Sequence, residues 1–378
     1  MKYPIGIQDF EDLQRNGYAY VDKTNFVYKL ADEGKYYFLS RPRRFGKSLF
    51  LSTLEAYFQG KKDLFEGLAI YDLETEWKKY PIFHIDLNTA NFREKDSLYT
   101  VLNDYLTTWE SKYGARESEA TLALRFKGVI ARAAEKEGCG VVILIDEYDK
   151  PILQTLRDPE LQAEHRAQLK AFYSVLKTQD RYIKFAFLTG VTKFGKVSVF
   201  SDLNNLTDIS MDHRYISICG MTEKELLTNF KEGIGELASA NEDNETETID
   251  KLRMRYSGYH FEENSEEIYN PFSVLNTLAN SRYDDYWFKA NTHTFLIDIL
   301  KKHDYCITDL NKTQVKANMM NNVDFNPIPV IYQSGYLTIK SYDERFKNYQ
   351  LGIPNKEVEE GILNTLLPHG CKTAEMDC

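Results

Sequence analysis

Apolar positions along the chain follow two distinct spacings. Short, nearly unbroken apolar runs at 36–39, 82–87, 141–145 and 182–189 each predict a strand, with a shorter strand near 215–218. Between them, residues 97–112, 120–137 and 161–178 carry apolar side chains at helical spacing. The same spacing relates Phe50, Leu51, Leu54, Tyr57 and Phe58. Upstream, 18–24 predicts a short strand ending at a helix cap, and 25–33 a helix stopped by Gly34. Strands that are apolar at consecutive positions and alternate with helices predict an α/β unit. Its central sheet is mostly parallel and covered on both faces.

The rhythm changes after Gly220. Thr222 and Glu225 have the spacing of a capping box and predict a helix start. Residues 236–247 are acidic and polar and predict a mobile loop. Helical spacing resumes at 249–255 and 271–279, giving a mostly helical second domain. In the last third, 295–302 and 328–333 predict helices, and 336–340 and 347–353 predict two strands joined at Asp343-Glu344. Helices followed by a hairpin predict a winged-helix-like unit. A short helix at 357–367 and a polar tail close the chain.

With 378 residues, two or three domains are expected. An aromatic content of 13% argues against a disordered chain. No apolar run approaches the ~20 residues needed to span a bilayer, and Met1-Lys2-Tyr3-Pro4 opens no signal peptide, so a soluble cytoplasmic protein without a membrane partner is expected. The net charge of −10 excludes a bulk polycation that coats nucleic acid, leaving only a local patch for such contact. Cys139, Cys219, Cys306, Cys371 and Cys378 are scattered without a C-x-x-C pair and read as reduced thiols. The seven histidines are equally dispersed and signal no metal cluster.

The chemistry concentrates at the end of the first apolar run. Residues 41–48 fit G-x-x-x-x-G-K-[ST] at every required position except the first, where Arg41 stands. Such a loop turns backbone N–H groups around phosphates, with a lysine on the β/γ oxygens and a hydroxyl on Mg2+. Gly46, Lys47 and Ser48 fit those roles, within a candidate nucleotide loop comprising Arg41, Pro42, Arg43, Arg44, Phe45, Gly46, Lys47, Ser48 and Leu49. The strand at 141–145 ends in Asp146 and Glu147. Asp146 joins Ser48 as a candidate Mg2+ ligand, and Glu147 is placed to activate water. Asp149 and Lys150 read as solvating the strand end. Thr189, closing another buried strand, is either a γ-phosphate sensor or an ordinary turn residue.

A strand between the loop strand and the acidic strand, together with Glu147, favours ATP hydrolysis. No Asn-Lys-x-Asp guanine motif follows a strand, so ATP is expected rather than GTP. Arg43 and Arg44 either stabilise transition-state charge or pair with acids, and Arg44 joins Glu147, Lys47 and Thr189 as a candidate catalytic residue. Lys193, Lys196 and Arg214 read as solvated surface. Tyr18 and Tyr20 read as strand packing rather than adenine stacking. Asn270-Pro271 is either a lid element or a simple helix start. Lys340, Arg345 and Lys347 read as an exposed hairpin rather than a DNA contact.

The chain resembles a family of bacterial and archaeal AAA-ATPase-like proteins that usually end in a PD-(D/E)XK nuclease-like domain. The resemblance rests on residues 4–10, 20–24, 40–48, 145–149, 188–190, 200–206, 256–259, 269–272 and 352–355, nearly the whole chain. It implies arginine as the normal first residue of the loop, nucleotide and magnesium at Lys47 and Ser48, and metal and water at Asp146 and Glu147. It also implies a helical lid after the ATPase core and an association with DNA-processing or defence systems. Residues 356–378 hold no Glu-x-Lys-type strand, so nuclease activity is not expected of this chain.

The expected organisation is an ATPase core of P-loop type at 1–220, a lid at 221–290, a winged-helix-like domain at 291–355 and a tail at 356–378. The expected activity is Mg2+-dependent ATP hydrolysis driving a conformational switch. A nucleotide-binding scaffold without hydrolysis is the alternative, and nucleic acid at the C-terminal region or a second copy of the chain are the candidate partners.

Overall fold

The computed structural model describes residues 1–193, 205–290, 296, 310, 313–320 and 327–366. Five strands form one sheet: β1 (Tyr36–Ser40), β2 (Ile82–Asp86), β3 (Val141–Asp146), β4 (Ile183–Gly190) and β5 (Thr207–Asp208). Their order is β2-β3-β4-β1-β5, and every pairing is parallel. β4 therefore lies between the loop strand β1 and the acidic strand β3, as the sequence led us to expect.

Alternate side chains serve opposite faces, as the two-residue period of a strand requires. Tyr37, Leu39, Val142, Leu144, Phe185 and Phe187 join one apolar cluster, covered by helices Thr24–Glu33 and Lys47–Phe58. Tyr36, Phe38, Ile143, Ile145, Ala186 and Leu188 join the other, beneath helices Ser97–Tyr113, Leu122–Glu137 and Pro159–Tyr173. This arrangement fits a P-loop-like α/β fold. Because all five strands run the same way, the chain leaves β1, β2, β3 and β4 at one edge of the sheet, where ligands of open α/β folds bind.

A third cluster, with Leu226, Phe230, Leu237, Leu252, Tyr256, Val274 and Leu278, is shared by helices Glu223–Asn229, Lys231–Ala240, Glu245–Tyr256 and Pro271–Asn280. The capping box at Thr222 and Glu225 is present. Tyr3, Ala19 and Val21 pack against this cluster. A second, antiparallel sheet has the order β6-β8-β7, with β6 (Gln314–Lys316), β7 (Thr338–Asp343) and β8 (Asn348–Gly352). Its Leu351 and Ile339, with Ile331 of helix Pro327–Gln333, join the same apolar cluster as β1. Among the described residues no helix is long and apolar enough to cross a membrane.

Four expectations are corrected. Residues 18–23 form no strand: the Ala19 N–H bonds to the Lys2 carbonyl, and Tyr20 packs edge-on against Phe10. The strand expected at 215–218 is a 3-10 helix, His213–Ile218, and β5 takes the place of the fifth strand. Most of the loop expected at 236–247 is helical: helix Lys231–Ala240 runs into it, and Asn244 and Glu247 make a second capping box that starts helix Glu245–Tyr256. The helical run expected at 161–178 breaks at Ser174. Apart from Leu296, the helix expected at 295–302 lies outside the described residues, as do Lys196 and residues 200–204 of the motif at 200–206.

Helix Lys356–Leu366 is anchored by Glu357, which is fully buried and bonds to the Ser273 hydroxyl and the Trp287 backbone N–H. Burial pushes its carboxyl up to about 8, Asp285 adds to the shift, and Arg255 and the two hydrogen bonds oppose it. Folding therefore keeps a proton on Glu357 where the unfolded chain has lost it. That contribution is complete below the unfolded value and is lost as pH rises through the folded one. The thermal midpoint is expected to fall between about pH 5 and 8, and Glu357→Gln to flatten the slope, as read by calorimetry across that window. A slope unchanged by the substitution would refute this assignment.

Candidate functional site

A cavity of about 970 Å³ opens at the edge where β1 to β4 end. Each strand's following loop contributes to its wall: Arg43, Arg44, Gly46, Lys47, Ser48 and Leu49 after β1, and Asn88 and Arg93 after β2. Glu147 and Lys150 follow β3, and Val191 follows β4. Pro4–Gln8 and the segment with Phe272, Leu275, Asn276 and Trp287 close other sides.

Gly46 is the cap of helix Lys47–Phe58, and its φ of +93° lies in the left-handed region that a side chain disfavours. The turn aims the helix N-terminus at the cavity, where backbone N–H groups and the helix dipole favour an anion. Lys47 is 4% exposed, and its Nζ meets the carbonyls of Arg41 and Pro42 at 3.1 and 3.2 Å and Glu147 Oε1 at 3.3 Å. The Ser48 hydroxyl donates to Asp146 Oδ2 at 2.5 Å, and the Thr189 hydroxyl to Asp146 Oδ1. Burial, with Glu147 next in the chain, raises the Asp146 carboxyl above its ordinary value, while Ser48, Thr189 and Lys47 hold it down. Lys47, Ser48 and Glu147 thus face the cavity, with Asp146 and Thr189 directly behind them.

Arg41, Pro42 and Phe45 point elsewhere. Arg41 is buried, and its guanidinium donates to the carbonyls of Ser40, Ser210, Tyr215 and Ile216 and lies 4.0 Å from the Phe261 ring centroid. Burial lowers the pKa of its guanidinium to about 10. Phe45 packs edge-on against Tyr259 and Phe261. Pro42 lines a second, much smaller cavity beside Arg41. Arg44, at φ +68°, places its guanidinium 4.9 Å from the Phe272 ring centroid.

Several surrounding residues differ from expectation. Asp149, expected to solvate the strand end, is fully buried. Its Oδ1 accepts from the Val191 N–H, and its Oδ2 accepts from both the N–H and hydroxyl of Thr192. Burial pushes its carboxyl up to about 6, with Glu147 adding to the shift. This contact requires Gly190, where a Cβ would come within 2.6 Å of the Tyr148 ring and 2.7 Å of Asp149 Oδ1. Lys193, expected on the surface, is buried and ion-paired with Asp208 at 2.9 Å. Arg214 pairs with Asp212 at 2.6 Å. Asn270 caps helix Pro271–Asn280, accepting from the N–H groups of Phe272 and Ser273. Sequence reasoning assigned no site role to Asp149, Arg93, Phe272 or Trp287. Only Asp149 carried a local signal, a second acid just beyond a buried strand.

Removing the Asp149 carboxylate strands three buried donors. Asp149→Ala is therefore expected to cost about 3 kcal/mol of folding stability, read from the urea midpoint. A loss within measurement error of zero would show that the interaction does not hold β4 to β3.

The family model described as Predicted AAA-ATPase matches residues 4–200. An uncharacterized protein in the vnfD 5′ region of Azotobacter chroococcum mcd 1 is 38% identical over 372 residues, covering 97% of this chain and 70% of that protein. No solved structure matches the chain. With over half its length under the family model and a relative of this closeness, the chain belongs to the AAA-ATPase-like family.

Proposed function

We propose that the chain is a Mg2+-dependent ATPase, with ATP in the 970 Å³ cavity and its phosphates over the Gly46–Ser48 turn. The observation that carries this reading is the Ser48–Asp146–Thr189 hydrogen-bonded group beside the Lys47–Glu147 pair, all at one helix N-terminus. In this assignment Arg41–Ser48 is a Walker A loop and Asp146-Glu147 a Walker B pair. Lys47 binds the β- and γ-phosphate oxygens, and Glu147 accepts a proton from the attacking water as its oxygen bonds to the γ-phosphorus and the bond to the β–γ bridging oxygen breaks, releasing ADP and phosphate. Thr189 acts as a positioning residue that fixes Asp146, and Arg44 supplies positive charge at the cavity wall.

Ser48 and Asp146 offer hydroxyl and carboxylate oxygens, the hard donors that Mg2+ takes. Among the described residues no cluster of three or more His, Cys, Asp or Glu side chains could hold a metal. Phosphate oxygens and water must complete the shell, the usual mode for Mg2+. When bound, the ion neutralises charge on the β- and γ-oxygens.

The ATPase core is assigned to 1–220 and the lid to 221–290, supported by Phe272 over the Arg44 guanidinium at the cavity wall. A winged-helix-like unit at 291–355 is supported by helix Pro327–Gln333 followed by the β7–β8 hairpin, with 356–378 as a further segment. Nucleotide closing the lid would act as a conformational switch. The exposed Phe346, beside Arg345 and Lys347 on the hairpin turn, is the place to look for nucleic-acid contact in a DNA-processing or defence role, and a second copy of the chain remains a candidate partner.

The Lys47–Glu147 ion pair favours one alternative, a scaffold that holds nucleotide without turnover, because Glu147 Oε1 is engaged by Lys47 rather than turned to a water. Phosphate release separates the two readings. Lys47→Ala is expected to abolish ATP binding. Glu147→Gln is expected to bind ATP normally and to slow hydrolysis by about 100-fold or more. Wild-type protein that binds ATP without releasing phosphate would establish the scaffold instead.

A further inference from the structure

The loop proposed to hold phosphate is bounded by chain from far along the sequence. Trp287 is 1% exposed, and its indole Nε1–H donates to the Arg43 carbonyl at 2.9 Å. Its own backbone N–H donates to Glu357 Oε1 at 2.8 Å. The Ser273 hydroxyl lies 2.9 and 2.8 Å from the two Glu357 oxygens. Glu357 belongs to the first turn of helix Lys356–Leu366 and is fully buried. An unbroken line of hydrogen bonds thus joins that helix to the phosphate loop.

The geometry of one peptide gives this line its consequence. A trans peptide is planar, so the carbonyl of Arg43 and the N–H of Arg44 point in opposite directions. Holding the carbonyl on Trp287 turns the Arg44 N–H away from it, and oriented backbone N–H groups are what such loops offer to phosphate. Arg44 also sits at φ +68°, a conformation that needs outside support in a residue with a side chain.

Building on the nucleotide reading above, we propose that Trp287 and Glu357 are positioning residues that set the backbone of the phosphate loop. Through them, nucleotide occupancy is coupled to the seating of helix Lys356–Leu366. By linkage the coupling is reciprocal: nucleotide tightens the helix to the same degree that a seated helix tightens nucleotide.

Calorimetric titration with ATP and hydrogen exchange on the intact chain test this. Trp287→Phe keeps an aromatic ring and deletes the indole donor. It is expected to weaken ATP binding about threefold to tenfold, the range for one lost hydrogen bond. Without nucleotide, amides 43–46 should exchange faster in Trp287→Phe than in wild type. ATP should slow exchange across 356–366 in wild type and lose that effect in Trp287→Phe. Glu357→Gln, which keeps an acceptor for the Trp287 N–H, should retain the effect, and Glu357→Ala should lose it.

Wild-type affinity and wild-type exchange in Trp287→Phe would overturn the proposal while leaving the ATPase reading standing. Equal protection of 356–366 by ATP in Glu357→Ala and wild type would overturn the coupling. Wild-type protein that fails to bind ATP would overturn the nucleotide reading and the coupling with it, and exchange at 43–46 would then decide the positioning role alone.

Discussion

A carboxylate at the end of a strand buried on both faces must find hydrogen-bond donors within the protein. Asp146 finds them in two hydroxyls, Ser48 at the start of helix Lys47–Phe58 and Thr189 near the end of β4. Losing the Ser48 hydroxyl would strip Oδ2 of that donor, and losing the Thr189 hydroxyl would leave Oδ1 to the Glu147 N–H, both costly in a low-dielectric interior. The demand fixes three things together: the height of the helix against the sheet, the pairing of β4 beside β3, and the face of Ser48 that meets the cavity. Asp149 repeats the device three residues on, binding Val191 and Thr192 as the chain leaves β4. The edge of the sheet is therefore held by side-chain acids as well as by the backbone ladder.

A second constraint works from outside the sheet. Phe45 is buried against Tyr259 and Phe261, its carbonyl accepts from the Gly220 N–H, and the two terminal nitrogens of Arg41 donate to the carbonyls of Ser210, Tyr215 and Ile216. A 3-10 turn at His213–Ile218 suits this work, since its ends leave carbonyls unused by the backbone. The loop's two apparent oddities, an arginine where glycine is usual and a phenylalanine before Gly46, are thus its attachments to the rest of the chain.

Legibility in the sequence followed burial. β1, β3 and β4 were readable because a strand covered on both faces shows an unbroken apolar run. The loop, Asp146 and Glu147 were readable because their chemistry is local in sequence. Residues 18–23 misled because alternating aromatics also suit an extended segment whose N–H groups bond elsewhere, here Ala19 to Lys2. Residues 215–218 misled because apolar side chains were needed for burial while the backbone served Arg41. The acidic run at 236–247 resembled a solvated loop, yet Glu245 and Glu247 sit in the first turn of a helix, where negative charge is favoured. Trp287 could not be found at all from sequence, since nothing local links it to a carbonyl 244 residues away.

The enclosure of Arg41 has a thermodynamic consequence of its own. An anion-binding turn that becomes ordered only when its ligand arrives must lose conformational freedom at that moment, and affinity suffers accordingly. Here the side chains of Arg41 and Phe45 are immobilised by contacts belonging to the folded chain, so that loss falls within folding rather than within association. Under the nucleotide assignment proposed above, ligand capture at this turn approaches rigid docking, with a small entropy of ordering. Sequence changes among the carbonyl-bearing residues at 210–216 would then register as altered affinity, although none of those residues lines the cavity.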